Sequence, residues 1–399
     1  MIPRVVEISD LTSASKEIHS IGCDKAGFKI MAPKAVCRAL KLKGLRPAAA
    51  NIIKQEMLSF GGEAATAYGA INHSVKTTDV LVLGTQKQIQ LLVEKLKQHR
   101  FGLPEVSARI KEALDNYQGV RKSMKIGSRT FDFGLRTYIM GILNVTPDSF
   151  SDGGRFLNVN DAIAHAKRMA DEGADIIDVG GESTRPGAKV VSSEEEIRRV
   201  IPVIRHLSKE RGILISIDTR KAKVAKAALD AGAHMVNDVS GLKYDRKMAF
   251  LVAKHKVPVC AMHMRGTPAD MQKKAAYADL MGEIIGELEE SIAIAKNAGI
   301  LHGKIILDPG IGFGKTTENN LDILNRLKEL NVLGCPILVG PSRKSVIGKV
   351  LKLPENARME GTAAAVAIAI ANGADFIRVH DVKEMARVAK MTDSIVRRK

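Results

Sequence analysis

The sequence contains no tryptophan, and aromatic residues make up only 4% of its 399 positions. Proteins that bind single-stranded nucleic acid stack the bases on aromatic side chains, and the sequence offers no cluster of them. Cysteine is also scarce, and its four positions are widely separated without a CxxC pair: Cys23, Cys37, Cys260 and Cys335. This spacing argues against a zinc knuckle and against a disulfide framework, so we expect reduced, mostly buried thiols.

Long apolar runs are missing as well. No run reaches the length of about 18 residues that a membrane-spanning helix needs. The first residues, MIPRVVEISDLTSASKE, place acidic side chains where a signal peptide would need an apolar stretch. The sequence therefore predicts a cytoplasmic protein that does not enter a membrane. With 45% hydrophobic residues, the chain can fill at least one large core, and its length allows more than one folding unit.

The formal net charge of +17 is unevenly distributed along the chain. Residues 1–130 contain 21 Lys and Arg against 11 Asp and Glu, and the remaining 269 residues contain 40 against 33. Without aromatic stacking groups, this excess indicates a solvated basic surface that helps to capture anionic metabolites. A nucleic-acid site in the first segment is the alternative, and it predicts a low-salt gel shift that is lost without residues 1–125.

Eight short apolar runs alternate with amphipathic segments from residue 138 onward. They occupy residues 138–145, 175–181, 213–219, 234–241, 257–264, 304–310, 336–343 and 376–381. The intervening segments carry apolar residues at three- and four-residue spacing, which is typical of helices. Strands that are apolar on both faces and separated by helices predict a parallel sheet covered by helices. Eight such units in about 260 residues match a (β/α)8 TIM barrel.

Polar residues mark the C-terminal end of nearly every run: Asn144, Glu182, Asp218, Asn237, His263, Asp308, Arg343, Arg378 and His380. A doubly wound open sheet is the competing architecture, and periodicity alone does not exclude it. An open sheet gathers its ligand groups near one switch point, whereas a barrel collects them from all strand ends at one mouth. The distribution of polar residues therefore favours the barrel, here assigned to residues 138–399.

Residues 1–125 predict a small separate α/β domain. The pattern indicates strands at 4–9 and 78–84, and helices around 48–64 and 86–100. The segment has no phosphate loop, metal-ligand spacing or nucleophile motif, which favours a structural or interaction module, with a regulatory ligand site as the alternative. A basic, glycine-containing linker or hairpin, residues 126–137, joins it to the barrel.

Seven motifs of the barrel segment carry a specific resemblance to a known family. They are GILNVTPDSFSDGGRF (141–156), GADIIDVGGESTRPGA (173–188), SIDT (216–219), VNDVSG (236–241), LDPGIGFGKT (307–316), GPSRKS (340–345) and RVHD (378–381). Their order and spacing resemble dihydropteroate synthases over residues 138 to about 396, but not over the first 130. The resemblance implies a Mg2+-dependent transferase. Members of that family condense 6-hydroxymethyl-7,8-dihydropterin diphosphate with p-aminobenzoate and commonly form homodimers through barrel helices.

The resemblance also implies which residues hold the pterin. A buried heterocycle needs partners for its N–H, amino and carbonyl groups. Asp218, Asn237 and Asp308 match the family's pterin-recognising positions, and Lys344 is expected at the acceptor side of the ring. Met262 is expected to form an apolar wall beside it. Taken singly, any of the three strand-end residues could instead be a cap or part of an ordinary salt bridge.

For the diphosphate, the resemblance implies Asn144, Arg185, Arg378 and His380, with Asn144 as a protein ligand of Mg2+. Arg378 and His380 alternate on the last strand, so their side chains share one face. Arginine grips phosphate oxygens with a planar fork, and histidine adds a donor. One oxygen ligand suits magnesium, which keeps several waters and shares substrate phosphates.

The resemblance further implies that C–O cleavage precedes attack by the aniline nitrogen. The expected catalytic residues are Asp218, Arg378, His380 and Lys344, with Asp218 stabilising a pterin methylene cation. Arg378→Ala is expected to lower turnover far more than it weakens folding. Two glycine-bearing loops would fold over the mouth, and the pocket for p-aminobenzoate is assigned to Thr184, Pro186, Phe313 and Ser345. Either Ser342 or Ser345 could serve as the N-cap of the helix after strand seven.

Two rival functions follow from the same sequence. A methyltetrahydrofolate-binding corrinoid methyltransferase domain has a similar barrel, but it needs no diphosphate clamp such as STRPGA and RVHD. A catalytically silent scaffold, with a basic front domain that binds a partner, would not need the full set of matched positions. Turnover with p-aminobenzoate and the pterin diphosphate separates both from the synthase, for which sulfonamides are the expected competitive inhibitors.

Overall fold

The chain forms two compact units, residues 1–118 and residues 119–399. The computed structural model describes residues 1–119, 123–146, 159–183, 191–266, 271 and 275–397. Each unit has an apolar core of its own.

The first unit is a small α/β domain, as predicted. Its elements are α1 (Leu11–Ser20), α2 (Lys25–Ala35), β1 (Cys37–Leu45), α3 (Pro47–Ser59), β2 (Glu63–Thr66), β3 (Thr78–Thr85), α4 (Gln86–Leu96) and α5 (Leu103–Gln118). The strands form an antiparallel sheet in the order β1-β3-β2. Buried side chains from α3, β3 and α4, among them Ile53, Val82 and Leu92, form the core of this unit.

The strand predicted at residues 4–9 is wrong. These residues have no strand structure, and Val5 is 99% exposed, so it buries no apolar surface that could offset the entropy of ordering the segment. Regular structure begins with α1, where Asp10 and Ser13 form a capping box. Asp10 Oδ1 accepts the Ser13 N–H at 2.7 Å, and Ser13 Oγ accepts the Asp10 N–H at 3.1 Å.

A short hairpin begins the second unit, so the hairpin is confirmed and the linker, its predicted alternative, is wrong. Strands β4 (Met124–Ile126) and β5 (Arg129–Phe131) pair in antiparallel fashion. Their apolar side chains pack with Phe133 and with the first residues of the barrel strands, including Tyr138 and Phe376. Residues 126–137 therefore belong to the barrel unit, because they cover the apolar end at which its strands begin.

The eight predicted barrel strands are all present. They are β6 (Tyr138–Asn144), β7 (Ile176–Gly180), β8 (Ile215–Asp218), β9 (Met235–Asp238), β10 (Val259–Met262), β11 (Ile305–Asp308), β12 (Leu338–Val339) and β13 (Phe376–Val379). They pair in parallel in the order β11-β10-β9-β8-β7-β6-β13-β12. A parallel bridge between Leu307 and Ile337 joins the two ends of this order. The (β/α)8 barrel is confirmed, and the open doubly wound sheet is wrong.

Helices follow each strand and cover the sheet. They are α6 (Val159–Asp171), α7 (Ser193–Leu207), α8 (Ala222–Asp230), α9 (Lys247–His255), α10 (Leu280–Asn297), α11 (Thr317–Asn325), α12 (Ser345–Leu351), α13 (Met359–Ala371) and α14 (Val382–Val396). Two of them, α12 and α13, follow the seventh strand. Within the described ranges, no helix combines the length and the apolar character that crossing a membrane requires. Of the four free cysteines, Cys260 and Cys335 are buried.

Candidate active site

The strand register brings three predicted residues to one level of the barrel mouth. Asn144 pairs with Gly180, Gly180 with Asp218, and Asp218 with Asn237. A Cβ atom at Gly180 would lie 3.6 Å from Asp218 Oδ2 and 3.7 Å from Asn144 Oδ1. Because residue 180 is a glycine, the space beside it stays open and is bordered by both of these oxygens.

Arg378 connects two buried carboxylates across this mouth. Its Nε donates to Asp178 Oδ2 at 2.6 Å, and its Nη2 donates to Asp218 Oδ2 at 2.6 Å. Asn237 Nδ2 donates to the same Asp178 oxygen at 2.9 Å. Four side chains from strands β7, β8, β9 and β13 therefore form one hydrogen-bonded network.

Asp178 is a member of this network that the sequence analysis did not single out. Unlike the polar residues at the strand ends, Asp178 lies inside the apolar segment DIIDVGG and is fully buried. A carboxylate in the middle of an otherwise apolar strand is itself a signal, since it needs a cation or donors when water is excluded.

Burial changes the protonation of the carboxylates at the mouth. It raises the pKa of Asp218 to about 7, although the positive charge of Arg378 acts in the opposite direction. It raises the pKa of Asp308 to about 6, against the hydrogen bond from Gly310 and the charge of Lys344. Burial also disfavours the charged form of Arg378, but the two carboxylates outweigh it, and the pKa of Arg378 is raised.

The segment after β11 folds tightly against the end of β10. Asp308 Oδ1 accepts the Gly310 N–H at 2.7 Å, and the Phe313 N–H donates to the Gly310 carbonyl at 3.1 Å. Gly310 has a φ of +69°, and a Cβ there would come within 2.0 Å of the His263 carbonyl oxygen. Only glycine fits this approach, which sets the position of Phe313 relative to Asp308.

An apolar wall lies beside these polar groups. Met262 and Phe313 belong to one buried cluster with Val239 and Met271. Lys344 Nζ lies 4.3 Å from the centroid of the Phe313 ring, a cation–π contact. The structure therefore brings together the predicted residues Met262, Phe313 and Lys344.

His380 follows β13 directly and contacts Ser342. Its Nδ1 lies 3.0 Å from Ser342 Oγ, which also accepts the His380 N–H at 3.2 Å. Burial, with the nearby charges of Arg378 and Arg343, lowers the pKa of His380 to about 3. His380 is therefore neutral at physiological pH and can offer an N–H donor but no positive charge.

Ser345 is exposed and is the first residue of α12. The N-cap of this helix is Lys344, whose side chain makes no capping bond, so the interpretation of Ser342 or Ser345 as the N-cap is wrong. The preceding Arg343 has a left-handed φ of +54°. Its N–H donates to Thr362 Oγ1 at 3.1 Å and its Nε to Asp381 Oδ2 at 3.0 Å, which stabilises this uncommon conformation.

Three predicted residues, Thr184, Arg185 and Pro186, lie outside the described residues. Glu182, which precedes them, contacts Val191, which follows them. Its Oε1 accepts the Val191 N–H at 3.1 Å, and its Oε2 pairs with Lys221 Nζ at 3.0 Å. Lys221, which the sequence analysis did not single out, also donates to the Val191 carbonyl at 2.6 Å.

Comparison with known proteins gives a family and close relatives. A family profile described as "Pterin binding enzyme" matches residues 140–380. The dihydropteroate synthase of Clostridium beijerinckii is 56% identical over 276 residues, which are 69% of this chain and 100% of that protein.

A solved structure and a longer relative extend the comparison. The crystal structure of dihydropteroate synthase from Clostridium difficile in the presence of pteroic acid is 55% identical, with a TM-score of 0.64, over 67% of this chain and 100% of that one. A probable bifunctional folylpolyglutamate synthase/dihydropteroate synthase of Halobacterium salinarum is 40% identical over 388 residues, 97% of this chain and 46% of that protein. The similarity to this second protein therefore also covers most of residues 1–118.

Proposed function

The chain belongs to the dihydropteroate synthase family, and we propose that the network of Asn237, Asp178, Arg378 and Asp218 is the floor of its pterin site. The enzyme condenses 6-hydroxymethyl-7,8-dihydropterin diphosphate with p-aminobenzoate and releases 7,8-dihydropteroate and diphosphate. One observation carries the proposed site. Acid, amide and guanidinium groups from four strands meet at the mouth of the barrel, beside an apolar wall.

The pterin ring is held by the polar atoms that this network and the neighbouring loop leave available. Asn237 uses its Nδ2 on Asp178, so its amide oxygen can accept from the ring. Asp308 uses Oδ1 on the Gly310 N–H, so Oδ2 can accept ring N–H and amino protons. Met262 and Phe313 cover the apolar face of the ring, and Lys344 donates to its acceptor edge.

Asp218 stabilises the positive charge that develops on the pterin when the C–O bond breaks. As a buried carboxylate with a pKa near 7, it has few competing water contacts. A cation beside it favours the ionised form, so carboxylate and cation stabilise each other most strongly at the transition state. Arg378 keeps the carboxylate in place through its 2.6 Å bond.

The diphosphate is held by Arg378, His380, Arg185 and Asn144. Arg378 has two of its donor nitrogens on Asp178 and Asp218, which leaves Nη1 for a phosphate oxygen. Neutral His380 adds an N–H donor. Arg185, which the family resemblance also assigns to this site, lies outside the described residues. These groups bind the leaving oxygens and lower the energy of bond cleavage without a covalent intermediate.

Mg2+ fits the space beside Gly180. Asn144 Oδ1 faces that space, and a hard cation with one or two protein oxygens and several phosphate and water ligands needs no larger protein cage. In the described part of the chain, no group of three or more His, Cys, Asp or Glu residues is placed to form such a cage. When bound, Mg2+ neutralises charge on the leaving diphosphate.

p-Aminobenzoate binds against Phe313 and Ser345. The Phe313 ring supplies an apolar surface, and the exposed hydroxyl of Ser345 is available to the substrate carboxylate. Thr184 and Pro186, which are also predicted for this pocket, lie outside the described residues. The aniline nitrogen then attacks the pterin methylene carbon and loses its proton to solvent or to the departing diphosphate.

The reaction assay tests this proposal directly. With both substrates and Mg2+, we expect dihydropteroate formation that is competitively inhibited by a sulfonamide against p-aminobenzoate. Removing Mg2+ with a chelator should reduce the rate at least about 100-fold, because the charge on the leaving group is then poorly neutralised. Full activity without a divalent cation would remove Mg2+ from the mechanism. Methyl transfer from methyltetrahydrofolate to a corrinoid serves as the control reaction and should be absent.

A second copy of the chain is the proposed partner of the face formed by α11, α12 and α13. Large apolar side chains on this face and in the loop after α12 are exposed: Leu321, Val350, Leu351, Leu353, Met359 and Ile368. Exposed apolar side chains on neighbouring helices are typical of an interface between subunits. The cytoplasmic location stays a prediction from the sequence.

We expect Ile368→Glu to convert a dimer to a monomer, because a carboxylate at an apolar interface loses its water without gaining a partner. Sedimentation velocity measures the change. Phe250→Glu on α9 is the matched control, since Phe250 is also exposed but lies outside this face, and it should leave the dimer intact. A monomeric wild-type protein, or an unchanged sedimentation coefficient for Ile368→Glu, would contradict the proposal.

A further inference from the structure

Lys315 is a buried cation that the mechanism above does not use. Its residue is only 3% exposed, and it follows the glycine-containing segment after β11. Its Nζ lies 2.9 Å from the Phe313 carbonyl oxygen, 2.9 Å from His263 Nδ1 and 3.5 Å from the His263 carbonyl oxygen. The amine therefore lies directly beneath the segment that connects Asp308 to Phe313.

The neighbours of Lys315 determine where the protons are. His263 Nε2 lies 3.2 Å from Glu287 Oε2, and a carboxylate only accepts. The ring proton of His263 therefore belongs on Nε2, which leaves Nδ1 as an acceptor for the ammonium group of Lys315. A neutral Lys315 paired with a proton on Nδ1 would instead place a lone pair of Nε2 against the Glu287 carboxylate.

The series of contacts from Lys315 through His263 to Glu287 continues to the surface of the barrel. Arg265 Nη2 contacts Glu287 Oε1 at 2.6 Å and Glu283 Oε2 at 2.7 Å. Arg265 also lies over the Tyr277 ring, and the Tyr277 hydroxyl donates to the Gly314 carbonyl at 2.9 Å. The titratable and charged groups that face or act on Lys315 are His263, Arg265, Glu287, Asp308 and Lys344.

We propose that Lys315 is a positioning residue of the pterin site: oriented by His263 and Glu287, its ammonium group holds the Phe313 carbonyl and so fixes the segment between Asp308 and the Phe313 ring. This inference rests on the proposed pterin site. The ring of Phe313 and the carboxylate of Asp308 are meant to contact the same ligand, so their separation has to be set before the ligand arrives. Lys315 sets it from the side opposite the ligand.

The charge of Lys315 is expected to vary with pH near neutrality. Burial lowers the pKa of Lys315 to about 7, against the carboxylates of Asp308 and Glu287, which favour the charged form. As pH rises through this value, the ammonium group loses its proton and one of its donors. The contact with His263 then weakens, and the affinity for the pterin is expected to fall on the alkaline side.

The decisive measurement is the dissociation constant of a dihydropterin that lacks the diphosphate, determined across pH. Lys315→Met keeps the length of the side chain but removes its charge and donors. We expect the dissociation constant to rise about 10- to 100-fold, the loss that follows removal of one charged hydrogen bond. The alkaline decrease in affinity should be present in the wild type and absent in Lys315→Met.

A matched control separates positioning from general stability. Asp175 is buried at the opposite end of the barrel, where it pairs with Arg129 and Arg136. Asp175→Asn should lower the melting temperature without changing the pterin dissociation constant or its pH dependence. If Lys315→Met also changes only the melting temperature, Lys315 is structural and the proposal is overturned.

A second pair of variants decides the question if Lys315→Met does not fold. His263→Asn keeps an acceptor near the position of Nδ1, whereas His263→Leu removes it. We expect His263→Asn to bind the pterin at least fivefold more tightly than His263→Leu, and equal affinities would overturn the proposal. Asp308→Asn, measured alongside, separates the two levels of inference. If Asp308→Asn binds the pterin normally, the proposed pterin site itself is wrong. If Asp308→Asn weakens binding and the Lys315 and His263 variants do not, only the proposed role of Lys315 is wrong.

Discussion

Arg378→Lys is expected to lower kcat/KM for the pterin diphosphate by about 100- to 1,000-fold, although the protein remains folded. Lysine keeps the positive charge between Asp178 and Asp218, but a single ammonium group cannot bond both carboxylates in the plane of the guanidinium and also reach a phosphate oxygen. The loss therefore falls on the geometry of the site. Steady-state kinetics and urea unfolding, measured on the same preparation, separate the two effects.

Arg378→Ala is a less informative variant than the sequence suggested. The expectation that it lowers turnover far more than it weakens folding stays a prediction, but Arg378 is also the cation between two carboxylates, so its loss affects folding as well. Removing one partner of a buried ion pair costs about 3–5 kcal/mol.

Arg397→Lys is the matched control for the lysine variant. Arg397 is similarly buried, and it pairs with Asp393 at 2.8 Å and donates to the Ala374 carbonyl. Normal kinetics for Arg378→Lys would remove Arg378 from the diphosphate site.

The barrel could be predicted from the sequence because its strands are buried on both faces and its helices are amphipathic. Strand β1 was missed because its residues are only partly buried, on one face. Lys41 and Lys43 alternate with Leu40 and Leu42, so this basic stretch contains no continuous apolar run of the kind that marks the barrel strands. The hairpin of β4 and β5 was predicted only as an alternative to a linker, because three-residue strands are defined only by the barrel end that they cover.

The site was predictable where a residue's role depends on its position along a strand, and less so where it depends on burial. Asn237 and Asp308 follow apolar runs, and the parallel topology alone brings them to one mouth. Asp178 and Lys315 were missed, since their partners are distant in sequence. His380 was expected to add a donor at the diphosphate. Its neutral state follows from burial beside Arg378, which the sequence does not report.

The second large effect is expected for Asp308→Asn, which should weaken pterin binding by about 100- to 1,000-fold. The amide oxygen can still accept the Gly310 N–H, as Asp308 Oδ1 does at 2.7 Å. The amide NH2 then faces the N–H groups of the ring, so two charged hydrogen bonds are lost and donors oppose donors. Titration calorimetry with the dihydropterin measures the change in affinity.

The same substitution is expected to stabilise the protein near neutral pH, and this combination distinguishes a ligand-binding carboxylate from a structural one. The folded pKa of Asp308, about 6, lies above the ordinary value of 3.8 because burial disfavours the charge. Above pH 6 the wild type therefore carries a cost that Asp308→Asn lacks, about 1–3 kcal/mol, and the difference disappears as pH falls below about 4. Asp238→Asn is the control. The pKa of Asp238 is also raised to about 6, so removal of the charge alone would stabilise this variant as well, but its two carboxylate oxygens accept the N–H groups of Ser240 and Leu242, and an amide has only one oxygen to replace them. It should lose stability and keep its affinity for the pterin. An Asp308→Asn protein that loses stability at pH 8 and keeps that affinity would show that Asp308 only braces its loop.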